Sequence, residues 1–146
     1  MIDRRAARVI LVDEHERVLL FRGQDPGNPD AVPFWFTPGG GLDAGESVEE
    51  GARREVREET GLEMGELGEV VFERVAEFEF DGEHYRQAEQ FFLVRVDAFD
   101  VVRDGWTDIE HRFMSEHRWW SIDELRATTD TVHPVQLPDL IVRLVD

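Results

Sequence analysis

Residues 40–62 read Gly40-Gly41-Leu42-Asp43-Ala44-Gly45-Glu46-Ser47-Val48-Glu49-Glu50-Gly51-Ala52-Arg53-Arg54-Glu55-Val56-Arg57-Glu58-Glu59-Thr60-Gly61-Leu62. This is a glycine-rich loop feeding a helix. Ser47, followed three residues on by Glu50, has the form of a capping box, and Gly61 stands where a left-handed C-cap closes a helix. The spacing therefore predicts a helix over residues 48–60. At about 100° per residue, Val48, Ala52 and Val56 form an apolar stripe, while Glu50, Arg53, Arg54 and Arg57 collect on the solvated side. Glu55, Glu58 and Glu59 instead share a flank near the buried face. Carboxylates so placed repel one another, at a cost of about 4 kcal/mol per close pair at an effective dielectric of about 20.

Arg54, four residues before Glu58, offsets only part of that charge. A hard divalent cation, Mg²⁺ with Mn²⁺ as a substitute, suits carboxylate and carbonyl oxygens, and an incomplete protein shell leaves room for water and phosphate. The plainer reading is a glutamate-rich surface helix.

Gly40, Glu46, Arg54, Glu55, Glu58, Glu59 and Gly61, with apolar Val56 and Leu62, match every fixed position of a known pattern: the stretch resembles the signature of the Nudix hydrolases. A tryptophan shortly before Pro-Gly-Gly, here Trp35 and Pro38-Gly39-Gly40, accompanies that signature in the family. The resemblance implies an α/β/α sandwich with a central mixed β-sheet and a single domain over residues 1–146. It implies a metal-dependent hydrolase in which water attacks the phosphorus of a diphosphate linkage. Carried over by position, Glu55, Glu58 and Glu59 are metal ligands together with the backbone carbonyl of Gly39. Arg54 holds a glutamate in place, and Glu46 supports the loop. A further carboxylate from a late loop completes such sites; Glu116 is the first candidate for it and Glu110 the second. The base that deprotonates water is then Glu58 or Glu116. Family members are often dimers, so a homodimer is a further expectation.

Composition is consistent with this reading. The chain has 146 residues and 41% hydrophobic content, enough for one core. It has no cysteine, which excludes disulfide, zinc–thiolate and thiol-nucleophile chemistry. It has no lysine either, all 16 basic residues being arginine, which excludes P-loop and Schiff-base mechanisms. A formal charge of −17 opposes broad binding to nucleic acid or anionic membrane, and poses a problem for an enzyme of phosphates that bound cations would answer. With no span-length apolar run and no cleavage pattern at the N-terminus, the expectation is a cytoplasmic protein with a small nucleotide-type substrate.

Outside the signature, residues 6–12 are apolar except for Arg8 and predict a buried strand, turning through residues 13–16 into a second strand over 17–22. Residues 23–33 are a Gly/Pro-rich surface loop, and 34–36 a short strand. Residues 70–80 and 83–96 flank Asp81-Gly82, a type I′ turn signal, and predict a second hairpin whose polar residues Tyr85, Arg86, Gln87, Glu89 and Gln90 could face a cleft. Arg22, Trp35, Arg86 and Gln90 are the candidate substrate contacts. Residues 97–115 lack periodicity and read as a long loop with at most a helical turn. Ser121 with Glu124 is another capping box, and Pro138 fits the first turn of a last helix.

A reading of another class is a non-catalytic nucleotide-sensing or protein-binding module on the same scaffold, although such a binder has no need of intact acidic positions. A calcium-binding acidic protein is a weaker alternative, because the twelve-residue calcium loop is absent.

Overall fold

The computed structural model describes residues 1–145, without the side chains of residues 109, 112 and 115. Its strands in chain order are β1 (Ile2–Val12), β2 (Val18–Gly23), β3 (Phe34–Phe36), β4 (Gly39–Gly41), β5 (Phe72–Phe80), β6 (Glu83–Arg95), β7 (Met114–Trp120) and β8 (Thr131–His133). The helices are α1 (Val48–Thr60), α2 (Asp108–Phe113), α3 (Ile122–Ala127) and α4 (Leu137–Val145).

The central strand is β1. It runs parallel to β6 along its whole length, from Ile2↔Tyr85 to Val12↔Arg95, and β6 in turn pairs antiparallel with β5 across the Asp81-Gly82 turn. Both turn residues have positive φ, as a type I′ turn requires. β1 meets β2 only at the hairpin, Val12↔Val18, and further along its edge is taken by β4, Ala6↔Gly41 to Arg8↔Gly39. β2 pairs instead with β3 and β7, and β3 runs parallel to β8. The mixed sheet therefore splits into two halves joined at one hairpin.

Alternation along β1 explains the unbroken apolar run. Ala7, Val9 and Leu11 pack on Ala52 and Val56 of α1, whereas Ile10 and Val12 pack on the other face with Leu125, Leu137, Leu140 and Ile141 of α3 and α4. A strand covered on both faces has no polar side to show. The result is the expected α/β/α sandwich.

α1 is capped as its sequence predicts. Ser47 accepts from the Glu50 amide, Glu50 reaches back to the Ser47 amide, and Gly61 closes the helix at φ 83. β1 begins four residues earlier than the apolar run suggested, because its first part is held by β6 rather than by burial. The aperiodic stretch before β7 contains a complete helix, α2, with its own capping box between Thr107 and Glu110. Among the described residues no helix is long and apolar enough to cross a membrane.

Candidate active site

A cleft of about 700 Å³ lies where the two halves of the sheet part. α1 and α2 form one wall, β1, β5 and β6 the other, and Phe34, Phe36, Phe80 and Phe113 one end.

The acidic wall grows from α1. Glu59 is 2% exposed, and its Oε1 accepts from the Gly39 amide at 2.7 Å. That contact depends on the backbone of β4. Gly39 has φ 138, and a Cβ there would lie 2.1 Å from the Ala7 carbonyl oxygen; a Cβ on Gly40 would lie 2.9 Å from the Glu55 carboxylate. The loop before α2 is fastened to the end of α1: the Val102 amide donates to Thr60 O, and the buried Trp106 indole N–H donates to Glu59 O at 2.7 Å. Anchored in this way, α2 brings Glu110 to α1, and oxygens of Glu55, Glu59 and Glu110 lie within 4.8 Å of one another.

Burial, and next the neighbouring Glu55, push the Glu59 carboxyl well above the usual range, and burial raises Glu55 as well. Arg54 beside Glu55 and Arg8 near Glu59 offset only part of the repulsion among these half-buried and buried carboxylates, and the donor set is entirely hard oxygen. Those features, with glycine rather than a side chain facing Glu55, fit a divalent cation of the Mg²⁺ type.

Arg54 does not stand on the solvated side. Its side chain is half-buried, with Nε and Nη2 on the two oxygens of Glu46 at 2.8 and 2.9 Å, Nη2 on Gly41 O at 3.0 Å, and Nη1 on Glu55 at 3.0 Å and Glu58 at 3.3 Å. The Arg54 guanidinium holds Glu46 down to about 2. Arg54 thus ties the loop to two of the acidic side chains, and Glu58 sits at the rim of the cleft.

Several expected site residues lie elsewhere. Glu116 is 55% exposed on β7, in register with Arg22 of β2 and 3.8 Å from it, outside the cleft, whereas Glu110, the second choice, lies beside Glu55 and Glu59. The reason is local: the late segment folds into a helix that reaches α1, and β7 then carries Glu116 away. Trp35 is 4% exposed, packs on Trp120 and donates to Asp130, so it is a core residue. Arg86 and Gln90 occupy the face of β6 opposite Glu89, and Gln90 accepts from Arg5. Alternation on β6 decides this, since Gln87 and Glu89 point inward and their neighbours outward. The Gly39 carbonyl, foreseen as a ligand, accepts from Arg8 Nη1 at 2.9 Å.

Sequence reasoning passed over Arg4, Arg8 and Arg74, which line the cleft opposite the carboxylates. A single arginine inside an apolar run was the available signal for Arg8.

A family model, the NUDIX domain, matches residues 3–140, and the chain belongs to the Nudix family. An RNA pyrophosphohydrolase of Novosphingobium aromaticivorans is 33% identical over 147 residues, which cover 92% of this chain and 80% of that protein. An oxidized purine nucleoside triphosphate hydrolase of Danio rerio is 32% identical, over 75% of this chain and 71% of its own. Other alignments are shorter: the chain spans 34% of a Bacillus subtilis relative, 46% identical over 57 residues, and 65% of an RNA pyrophosphohydrolase of Wolbachia pipientis. Among solved structures, a MutT protein from Methanosarcina mazei superposes with a TM-score of 0.69 at 23% identity, over 97% of this chain and 92% of the other, and shares the fold.

Proposed function

We propose that this chain is a divalent-metal-dependent hydrolase that cleaves a phosphoanhydride bond in a nucleotide-type substrate. The observation that carries this reading is the convergence of Glu55, Glu59 and Glu110 within 4.8 Å at the wall of a cleft large enough for a nucleotide. Glu55, Glu59 and Glu110 would hold the cation, Mg²⁺ or Mn²⁺, with Glu58 and the Gly39 carbonyl beside them. Such an ion, when bound, lowers the pKa of water and screens phosphate charge.

The remaining chemistry belongs to the chain. Arg54 fixes Glu55 and Glu58 so that they do not swing into solvent. In this reading Glu58, half-exposed at the rim, or Glu110, on a separate helix, takes a proton from water; the closeness of Glu110 to Glu55 and Glu59 supports it in that role over Glu116. The phenylalanine end suits a flat base: Phe113 stacks on Phe36 with centroids 5.4 Å apart and meets Phe80 edge-on at 5.0 Å, and His133 borders the same space. Relatives named for RNA and for oxidized purine nucleoside triphosphates make both an RNA-borne diphosphate and a free nucleotide part of the substrate range to be tested. We take the protein to act as a single domain in the cytoplasm.

The test is phosphate or pyrophosphate release over a panel of nucleoside triphosphates, oxidised analogues, dinucleoside polyphosphates, nucleotide sugars and triphosphorylated RNA. Hydrolysis with Mg²⁺ or Mn²⁺ is expected to stop on chelation, and Glu59→Gln is expected to lower kcat by about 10²-fold or more with the fold retained. Turnover undiminished by chelator, or wild-type rates in Glu59→Gln, would defeat the proposal.

A further inference from the structure

The wall opposite the carboxylates is built around a buried acid. Glu89 is 3% exposed and Gln87 0% exposed, both on the inward face of β6. Each oxygen of Glu89 takes the Nε of a different arginine: Oε2 accepts from Arg8 of β1 at 3.0 Å and Oε1 from Arg74 of β5. Gln87 completes the chain, donating to Glu89 Oε2 at 2.7 Å and accepting from Arg4 Nε. The register requires this arrangement, since Arg4 is opposite Gln87 and Arg74 opposite Glu89. Burial opposes ionisation of Glu89, but Arg8 and then Arg74 outweigh it and bring its carboxyl down to about 2.

In all three arginines the anchored atom is Nε. Arg8 spends Nη1 on the Thr37 and Gly39 carbonyls. Its Nη2, and both Nη atoms of Arg4 and Arg74, make no hydrogen bond among the described residues, and all three side chains line the cleft. Those five Nη atoms are therefore available to an acceptor in the cleft. Three guanidiniums against one buried carboxylate make this cluster net cationic in a chain of net charge −17, although Glu77 and Glu79 further along β5 also border the cleft.

We propose that Arg4, Arg8 and Arg74 form a polyphosphate-binding wall, with Glu89 as the positioning residue that turns their outer N–H groups toward phosphate oxygens. This deepens the functional reading above and rests on it for the identity of the cleft. The bonds to Nε hold each planar fork in a fixed plane, so its end can meet an anion without further ordering.

Inorganic tripolyphosphate in excess EDTA is the probe, read by calorimetry, because binding to the arginines requires neither a cation nor turnover. Wild type is expected to bind, and Arg74→Met and Glu89→Gln each to weaken binding by about tenfold. Arg126→Met, which removes the same charge from the α3–α4 surface, is expected to bind as wild type. In steady-state assays Arg74→Met is expected to raise KM about tenfold with kcat within about threefold, and Arg74→Lys to recover part of the loss. Should Glu89→Gln fail to fold, Arg4→Met and Arg74→Met decide the matter alone. Wild-type affinity for tripolyphosphate in folded Arg4→Met and Arg74→Met, losses no greater than in Arg126→Met, or no binding by wild type overturns the proposal. Failure of hydrolysis across the nucleotide panel, with binding in EDTA intact, would instead count against the proposed activity.

Discussion

Glu110 and Glu116 are six positions apart and chemically identical, yet their surroundings differ in every respect that matters for catalysis. Glu110 meets two carboxylates of α1, one of them fully buried, whereas Glu116 lies exposed beside Arg22. Glu110→Gln is therefore expected to lower kcat by about 10²-fold, and Glu116→Gln to leave kcat within about twofold. Steady-state rates for the two variants under saturating cation give the comparison, and equal losses would refute the placement of α2. The residue scale was partly legible in sequence. Glu55 and Glu59 could be placed because helical periodicity links them to Val48 and Ala52. Trp35, Arg86 and Gln90 could not, because sidedness on a strand depends on which face the rest of the chain covers.

At the scale of elements, α1 and the loop before α2 act together. Ser47 satisfies the Glu50 amide and Gly61 the end of the helix, so the carboxylate flank begins from a fixed first turn. Ser47→Ala is expected to cost about 1 kcal/mol in a urea titration, with no change in slope. A loss below about 0.3 kcal/mol would mean that the cap contributes little beyond what water supplies. Both hairpins and the capping boxes of α1 and α3 were readable, since each depends on residues within a few positions. α2 was not anticipated as a full helix, although Thr107 and Glu110 carry the same cap pattern. Its six residues give too little periodicity to register, and docking on the end of α1 stabilises what propensity alone does not.

For the molecule as a whole, the two walls of the cleft respond to pH in opposite directions. Glu59 and Glu55 are raised by burial in the folded state, so the native chain without a cation holds protons that the unfolded chain has released. Their contribution is favourable at low pH and is lost as pH rises from the ordinary carboxylate range through the raised values. Glu89 is held down to about 2 by Arg8 and Arg74 against its burial. Its contribution is present above the ordinary carboxylate range and is lost as pH falls toward that value. Urea midpoints in EDTA are thus expected to decline as pH rises above the ordinary carboxylate range. The decline should flatten in Glu59→Gln and be offset by added Mg²⁺. A midpoint that instead climbs with pH above that range, without a cation, would contradict the raised carboxyls.

The sequence by itself determined the family signature, the capped helix that carries three glutamates, and the buried strand over residues 6–12. Each follows from spacing along a single element, where geometry is a function of residue number. Only the tertiary structure decided that Glu110 rather than Glu116 joins Glu55 and Glu59, and that Arg4, Arg8 and Arg74 converge on Glu89. Those groupings draw on β1, β5 and β6 in one case and on α1 and α2 in the other, with members up to 85 positions apart. Their proximity is set by strand register and by where the sheet parts, which no local spacing encodes.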